Sequence, residues 1–203
     1  MHNWVRAPHP LIAGQRIGLL GGSFNPPHPG HLYASELALR RLKLDFIWWL
    51  VSPQNPLKPT RGMASFKTRF CAAKQFARDP RIIVTDVEAQ FGTRFTADTL
   101  RLLRRRFPGI HFVWLMGSDN LIQLPRWRRW QSIFTAMPLA IVARPGTATA
   151  ARVCPAARRF AFAFRPPSGG FARLRPPAWT ILDGRRNPAS ATAIRKLQTR
   201  PRS

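Results

Sequence analysis

The stretch from Gly21 to His31, which reads GGSFNPPHPGH, constrains the fold of this 203-residue chain more than any other. The apolar run 17–20 before it is typical of a buried strand, and the apolar stretch 32–42 after it is typical of a helix. Two glycines therefore end a strand, where backbone can approach a ligand without a Cβ in the way. Two imidazoles lie at the start of a helix, where N–H groups without intrahelical partners favour an anion. The pattern predicts a site for a nucleotide phosphate.

Strand-like and helix-like stretches alternate along the rest of the chain, which is typical of a parallel sheet with helices on both faces. The predicted strands are 17–20, 46–51, 81–85, 110–116, 139–143 and 179–182. The predicted helices are 30–42, 64–77, 96–107 and 190–199, with a helical region 119–134 that Pro125 breaks. We predict an α/β fold, a Rossmann-like, doubly wound and mainly parallel sheet, with its ligands at the carboxyl ends of the strands.

The length suits a single domain, which we place at residues 16–203 after a loose extension at residues 1–15. The segment 146–177 is rich in Ala, Arg, Pro and Gly, and predicts a mobile surface connection with some helix around 148–157. No apolar run approaches the roughly 18 residues of a membrane span. Cys71, expected in the core, and Cys154 form no disulfide or metal pattern, so we expect a reducing, cytoplasmic setting.

The net charge of +25, from 33 Lys and Arg against 8 Asp and Glu, allows two interpretations. A basic surface can bind nucleic acid. Alternatively, arginine enrichment is a compositional bias and the site serves small anions. The basic residues are spread along the chain, and the run 104–106 ends a predicted helix, where cations favour the helix dipole. This distribution favours small anionic substrates over nucleic acid.

The stretch 21–31 resembles the HxGH signature of the nucleotidyltransferase superfamily, and its full length resembles the bacterial nicotinate-nucleotide adenylyltransferases in particular. Other segments resemble motifs of that family in its order along the chain: 52–58, 95–100, 117–121 with a tryptophan at 127, 142–146 and 190–195. Phe95 stands where a tyrosine is usual, and Ala191 replaces the second serine of the last motif. The resemblance spans nearly the whole chain.

The resemblance implies adenylyl transfer, in which the phosphate of nicotinate mononucleotide attacks the α-phosphorus of ATP in line and pyrophosphate leaves. Because the attacking phosphate is already an anion, catalysis requires positioning and charge neutralisation rather than a general base. Mg²⁺ is the expected cofactor, bound mainly through the ATP phosphates, and no metal-binding residue is predicted. The expected partners are ATP and nicotinate mononucleotide, and a homo-oligomer is left open.

The resemblance also assigns the site residues, with His28, His31 and Arg195 as the catalytic group. Those implied to bind ATP are Gly21, Gly22, Ser23, Phe24, His28, His31, Lys58, Ser190, Thr192 and Arg195. Those implied to bind nicotinate mononucleotide are Asn25, Thr96, Asp119, Trp127 and Arg128. Trp127, expected to share a helix face with Trp130, is assigned to the pyridine ring. Simple packing of Phe24, a solvated Lys58 and a core position for Trp127 stay open as alternatives.

Two rival functions stay open as well. A sister HxGH enzyme would use nicotinamide mononucleotide, pantetheine phosphate or a cytidylyl donor in the same chemistry. A basic nucleic-acid-binding protein with this fold is the rival from another class, although the sequence has no helix-turn-helix or zinc-finger spacing.

Overall fold

The computed structural model describes residues 5–53 and 62–184. In this part of the chain six parallel strands form one sheet in the order β3-β2-β1-β4-β5-β6. The strands are β1 (Arg16–Gly22), β2 (Phe46–Val51), β3 (Ile82–Thr85), β4 (His111–Gly117), β5 (Leu139–Val142) and β6 (Trp179–Leu182). The order reverses between β1 and β4, so the carboxyl ends of these two strands open a crevice of the kind in which such sheets bind ligands. The predicted doubly wound α/β fold is confirmed.

Eight helices cross between or follow the strands in the described part of the chain. They are α1 (Pro29–Arg41), α2 (Phe66–Phe76), α3 (Val87–Phe91), α4 (Thr96–Arg106), α5 (Ser118–Gln123), α6 (Trp130–Ala136), α7 (Ala148–Val153) and α8 (Pro155–Arg159). Their ends follow local chemistry. The Ser65 side chain accepts a hydrogen bond from the Thr68 N–H at 3.1 Å and starts α2. Three arginines occupy the last turn of α4, where they favour the helix dipole.

The core lies in two layers, one on each face of the sheet, because alternate strand residues point to opposite faces. Ile17 and Leu19 of β1 belong to the layer that α4 and α6 cover. Leu20 belongs to the other layer, which α1 and α2 cover. This two-sided burial explains why the strands are continuous apolar runs rather than alternating ones.

The predicted strands and the helices of the first half of the chain agree with the structure to within two residues at each end. The helix α3 was missed, because five residues are too few to show a helical period. The predicted helix 190–199 lies outside the described residues.

Two segments expected to be loose or on the surface pack onto the core instead. In the N-terminal segment Val5 is buried and the His9 ring lies 4.4 Å from the Phe46 ring. In the segment 146–177 the expected helix is present as α7 and α8. Phe160 stacks on Phe134 with ring centroids 4.0 Å apart, and Phe171 is fully buried. The interpretation of 146–177 as a surface connection is wrong for these side chains, and alanines of α7 and α8 are buried beside them.

The expectation for Cys71 is also wrong, because this thiol is exposed on α2. The helix turns Arg69 and Ala73 toward the protein interior instead. Cys154 is buried, and both cysteines are free thiols. Within the described ranges, none of the helices combines the length and the apolar character that crossing a membrane requires.

Candidate active site

A cavity of about 560 Å³ lies at the carboxyl ends of β1 and β4. Its wall comes from the exits of these two strands, the first turns of α1, α4 and α5, and the turn before α6. The predicted site residues that line it are Gly21, Gly22, Ser23, Phe24, His28, His31, Thr96, Asp119, Trp127 and Arg128. Segments up to about 100 residues apart in sequence therefore meet in one crevice.

Among the described residues, one predicted site residue, Asn25, does not line this cavity. Asn25 bonds instead to the chain before α2, where its Nδ2 donates to the Gly62 carbonyl at 3.3 Å. Four further predicted site residues, Lys58, Ser190, Thr192 and Arg195, lie outside the described residues.

The two histidines form a reciprocal cap at the start of α1. The Gly30 N–H donates to Nδ1 of His28, and the His28 N–H donates to Nδ1 of His31, each at 3.1 Å. An imidazole nitrogen that accepts a hydrogen bond carries no proton, so each neutral ring has its proton on Nε2. The fold thus selects the tautomer in which Nε2–H is a donor, on rings whose centroids are 3.8 Å apart.

Phe24 packs against the second of these histidines, His31. Its ring lies 4.6 Å from the His31 ring and stacks on Trp49 at 5.0 Å. Phe24 is 1% exposed and has φ +47°, in the left-handed region that a bulky residue seldom adopts. Phe24 therefore packs against the His31 imidazole and also lines the cavity, so its contact with ATP stays a prediction.

Packing requires the two glycines at the end of β1, Gly21 and Gly22. A Cβ on Gly21 would run into the indole ring of Trp114 on the neighbouring strand β4. A Cβ on Gly22 would lie 3.2 Å from the Phe24 ring. Because neither glycine has a side chain, only backbone atoms of Gly21 and Gly22 line the cavity wall.

Asp119 and Arg144 form an ion pair over the end of β4. Arg144 Nη1 lies 3.3 Å from Oδ2 of Asp119. Oδ1 of the same carboxylate is buried and has no hydrogen-bond partner among the described residues. The pair lies against Gly117, where a Cβ would meet Oδ1 of Asp119 and would lie 2.6 Å from Nε of Arg144. Arg144 therefore anchors Oδ2, and Gly117 leaves the space that Oδ1 occupies.

The opposite wall is formed by the start of α4 and the turn before α6. Thr96 is the first residue of α4, and the Arg128 guanidinium lies 4.7 Å from the Phe95 ring centroid. Trp127 lies in this wall with extended backbone, and Arg129 has a positive φ that turns the chain into α6. The expected shared helix face of Trp127 and Trp130 is wrong, because α6 begins only at Trp130.

Known proteins resemble the chain over nearly its whole length. Residues 19–197 match the family described as cytidylyltransferase-like. A Parvibaculum lavamentivorans protein described as "Probable nicotinate-nucleotide adenylyltransferase" is 53% identical over 188 residues, 92% of this chain and 94% of that protein. A Cereibacter sphaeroides protein of the same description is 53% identical over 179 residues, 88% of this chain and 96% of that protein. The chain belongs to the nicotinate-nucleotide adenylyltransferase family.

A distant solved structure shares the fold of this family member. Plasmodium falciparum nicotinic acid mononucleotide adenylyltransferase, complexed with NaAD, matches with a TM-score of 0.72 at 16% identity. The match covers 93% of this chain and 86% of that one. This structural match shows a shared fold. The family resemblance predicted from the motifs is confirmed by the sequence relatives.

Four charged residues of the cavity wall were not among the predicted site residues: Glu88, Arg94, Arg126 and Arg144. Single arginines carry no signal in a chain with so many, although Arg144 stands in the family-like segment 142–146. With Arg128, the wall carries four arginines against two acids, Glu88 and Asp119. This balance favours anionic ligands in this adenylyltransferase-family cavity.

Glu88 is a buried carboxyl in the cavity wall. Burial raises the pKa of Glu88 from an ordinary 4.5 to about 7, and hydrogen bonds from Thr99 and Ser52 oppose the shift only in part. Thr99 Oγ1 lies 3.3 Å from Oε1 of Glu88. Near neutral pH this carboxyl is therefore only partly ionised.

The Glu88→Gln variant is expected to remove a pH dependence of stability. The folded pKa of Glu88 lies above the unfolded value, so its protonated form favours folding below about pH 4.5 and this contribution is lost as pH rises toward 7. Between pH 5 and 8 the free energy of unfolding should fall by about 2 to 3 kcal/mol more in the wild type than in the variant. Urea unfolding at both pH values measures the difference. The exposed Glu36→Gln is the control, and parallel pH curves for Glu88→Gln and wild type would contradict the assignment.

Proposed function

We propose that this protein transfers the adenylyl group of ATP to nicotinate mononucleotide and releases pyrophosphate, a nucleotidyltransferase step of NAD biosynthesis. The observation that carries the proposal is the convergence of the histidine cap, Thr96, Asp119 and Trp127 on one basic cavity. Family membership at 53% identity over most of the chain supports the same reaction.

The ATP phosphates belong at the start of α1 in this proposal. An oxygen of the acceptor phosphate attacks the α-phosphorus, the bond to the β-phosphate oxygen breaks, and pyrophosphate leaves with the electron pair. No proton has to be removed from the nucleophile, so His28 and His31 act as donors rather than as bases. Their Nε2–H groups, held by the reciprocal cap, neutralise charge that grows on the phosphates.

The acceptor belongs on the opposite wall. Trp127 offers a face for the pyridine ring, and Arg128, held over the Phe95 ring, supplies positive charge for the ring carboxylate. Thr96 offers its hydroxyl at a helix start, where backbone N–H groups are also available. Asp119 offers its partly exposed carboxylate to a ribose hydroxyl, while Arg144 holds Oδ2 of the same group.

Mg²⁺ bound through the ATP phosphates would supply positive charge for the pyrophosphate leaving group. The acids of the described cavity wall do not form a binding set for it. Asp119 is paired with Arg144, and Glu88 keeps its proton up to about pH 7. No group of three His, Cys, Asp or Glu side chains in the described ranges is arranged to hold a metal ion.

The test is pyrophosphate release by purified protein with ATP, Mg²⁺ and nicotinate mononucleotide. Turnover with this acceptor and a much lower kcat/KM with nicotinamide mononucleotide supports the proposal. Release only with another phosphorylated acceptor, such as pantetheine phosphate, would assign the chain a sister reaction. No pyrophosphate release with any acceptor, together with salt-dependent binding to duplex DNA, would favour the nucleic-acid alternative.

A further inference from the structure

Arg69 on α2 is a charged side chain buried away from any acid. It is 2% exposed, and no carboxylate of the described residues lies within 4 Å of its guanidinium. Burial lowers the pKa of Arg69. An arginine keeps its charge even so, because its ordinary pKa is far above neutral. A buried cation without a carboxylate requires other compensation.

The compensation comes from four backbone carbonyls in three separate segments. Nη1 donates to the Ser23 carbonyl at 2.7 Å and to the Ser52 carbonyl at 2.8 Å. Nη2 donates to the Pro53 carbonyl at 2.9 Å, and Nε donates to the Ala64 carbonyl at 3.0 Å. The guanidinium therefore ties the loop after β1, the exit of β2 and the chain entering α2 to one planar group.

Two of these segments form the cavity wall. Ser23 and Ser52 both line the cavity, whereas Arg69 does not. A backbone bond from the Ser52 N–H to the Gly22 carbonyl, at 2.9 Å, joins the same two loops. The loop after β1 leads directly into the histidine cap of α1. Arg69 therefore contacts the backbone of two loops that line the cavity, but it does not line the cavity itself.

We propose that Arg69 is a positioning residue for adenylyl transfer, which holds the loop after β1 against the exit of β2 so that His28 and His31 face the reacting phosphates. The proposal rests on the proposed function. A planar fork with five donors can bind four carbonyls at fixed angles, which a lysine ammonium on a flexible stem cannot. Reacting groups misplaced by about 1 Å can cost about a hundredfold in rate.

The experiment compares Arg69→Gln, Arg69→Lys and Arg69→Ala with the wild type in the pyrophosphate assay. We expect kcat to fall about a hundredfold in Arg69→Gln and Arg69→Ala, less in Arg69→Lys, with each KM within about threefold. Guanidinium chloride at low millimolar concentration is expected to restore part of the kcat of Arg69→Ala. The matched control is Lys67→Ala, an exposed cation on the same helix, which should leave kcat unchanged.

A second control separates positioning from general stability. Leu103→Ala empties a buried site on α4, on the other face of the sheet, and lowers Tm without touching these loops. If Leu103→Ala matches the Tm loss of Arg69→Gln and keeps its kcat, stability alone does not explain the lost rate. An Arg69→Gln enzyme with wild-type kcat, or an equal loss of kcat in Leu103→Ala, would overturn the proposal.

Amide hydrogen exchange tests the same inference without activity. The Ser52 amide, bonded to Gly22, is expected to exchange at least tenfold faster in Arg69→Gln than in wild type or Lys67→Ala. Unchanged exchange would overturn the positioning role even if kcat fell in Arg69→Gln. If the wild type released no pyrophosphate with any acceptor but Ser52 exchange still rose in Arg69→Gln, the proposed function would be refuted. The role of Arg69 in holding the two loops together would be retained.

Discussion

The His31→Asn variant is expected to lose about 10³-fold in kcat with a small change in stability. Asparagine retains an oxygen that can accept the His28 N–H, as Nδ1 of His31 does at 3.1 Å, but it lacks the Nε2–H donor. Removing one donor to developing charge costs about 10² to 10³ in kcat in comparable sites. Steady-state pyrophosphate release, with thermal unfolding of the same samples, measures both quantities.

His111→Asn is the matched control, since His111 begins β4 and therefore lies at the amino ends of the strands, away from the cavity at their carboxyl ends. It should keep wild-type turnover. His31→Ala adds the loss of the capping acceptor, which costs about 1 kcal/mol of stability. If His31→Asn retained most of its kcat while His31→Ala unfolded more easily, the histidine would be a helix cap and nothing more.

The Gly117→Ala variant is expected to raise the KM for the acceptor by about 10- to 100-fold and to change kcat less. The new methyl group would push against Oδ1 of Asp119 and against Nε of Arg144, which lies 2.6 Å from its position. Such overpacking costs about 1 to 3 kcal/mol, and here it displaces the carboxylate assigned to the ribose. Initial rates at varied nicotinate mononucleotide concentration, with ATP saturating, measure the effect.

Gly170→Ala is the control for this substitution, because a Cβ at Gly170 meets no atom within 4 Å and its φ is −89°. Its kinetics should match the wild type. A Gly117→Ala enzyme with unchanged KM would show that the Asp119–Arg144 pair does not contact the acceptor.

Local sequence was sufficient for the part of the cavity wall that we propose for the ATP phosphates. The stretch 21–31 joins a strand to a helix within one short segment, and each of its elements is visible as an apolar run. Parallel strands place their carboxyl ends at one edge, and the motifs that follow strands within the described residues meet there as expected. Trp127 lines the cavity as well, but its expected helix face shared with Trp130 was wrong, because Pro125 and the turn at Arg129 end the helical pattern before Trp130.

The sequence alone determined the doubly wound sheet and the side of it on which ligands are expected. Both follow from the order of apolar strands and helices along the chain and from the glycines and prolines between them, which are local features of the sequence. Three features depend on distant packing instead: the four carbonyl bonds of Arg69, the raised pKa of Glu88 and the Asp119–Arg144 pair over Gly117. Arg69 reaches a carbonyl 46 positions away, and Asp119 pairs with an arginine 25 positions on. In sequence Arg69 is one cation among 33. Burial and carbonyl partners, which exist only after α2 has packed against the sheet, are what distinguish it from the others.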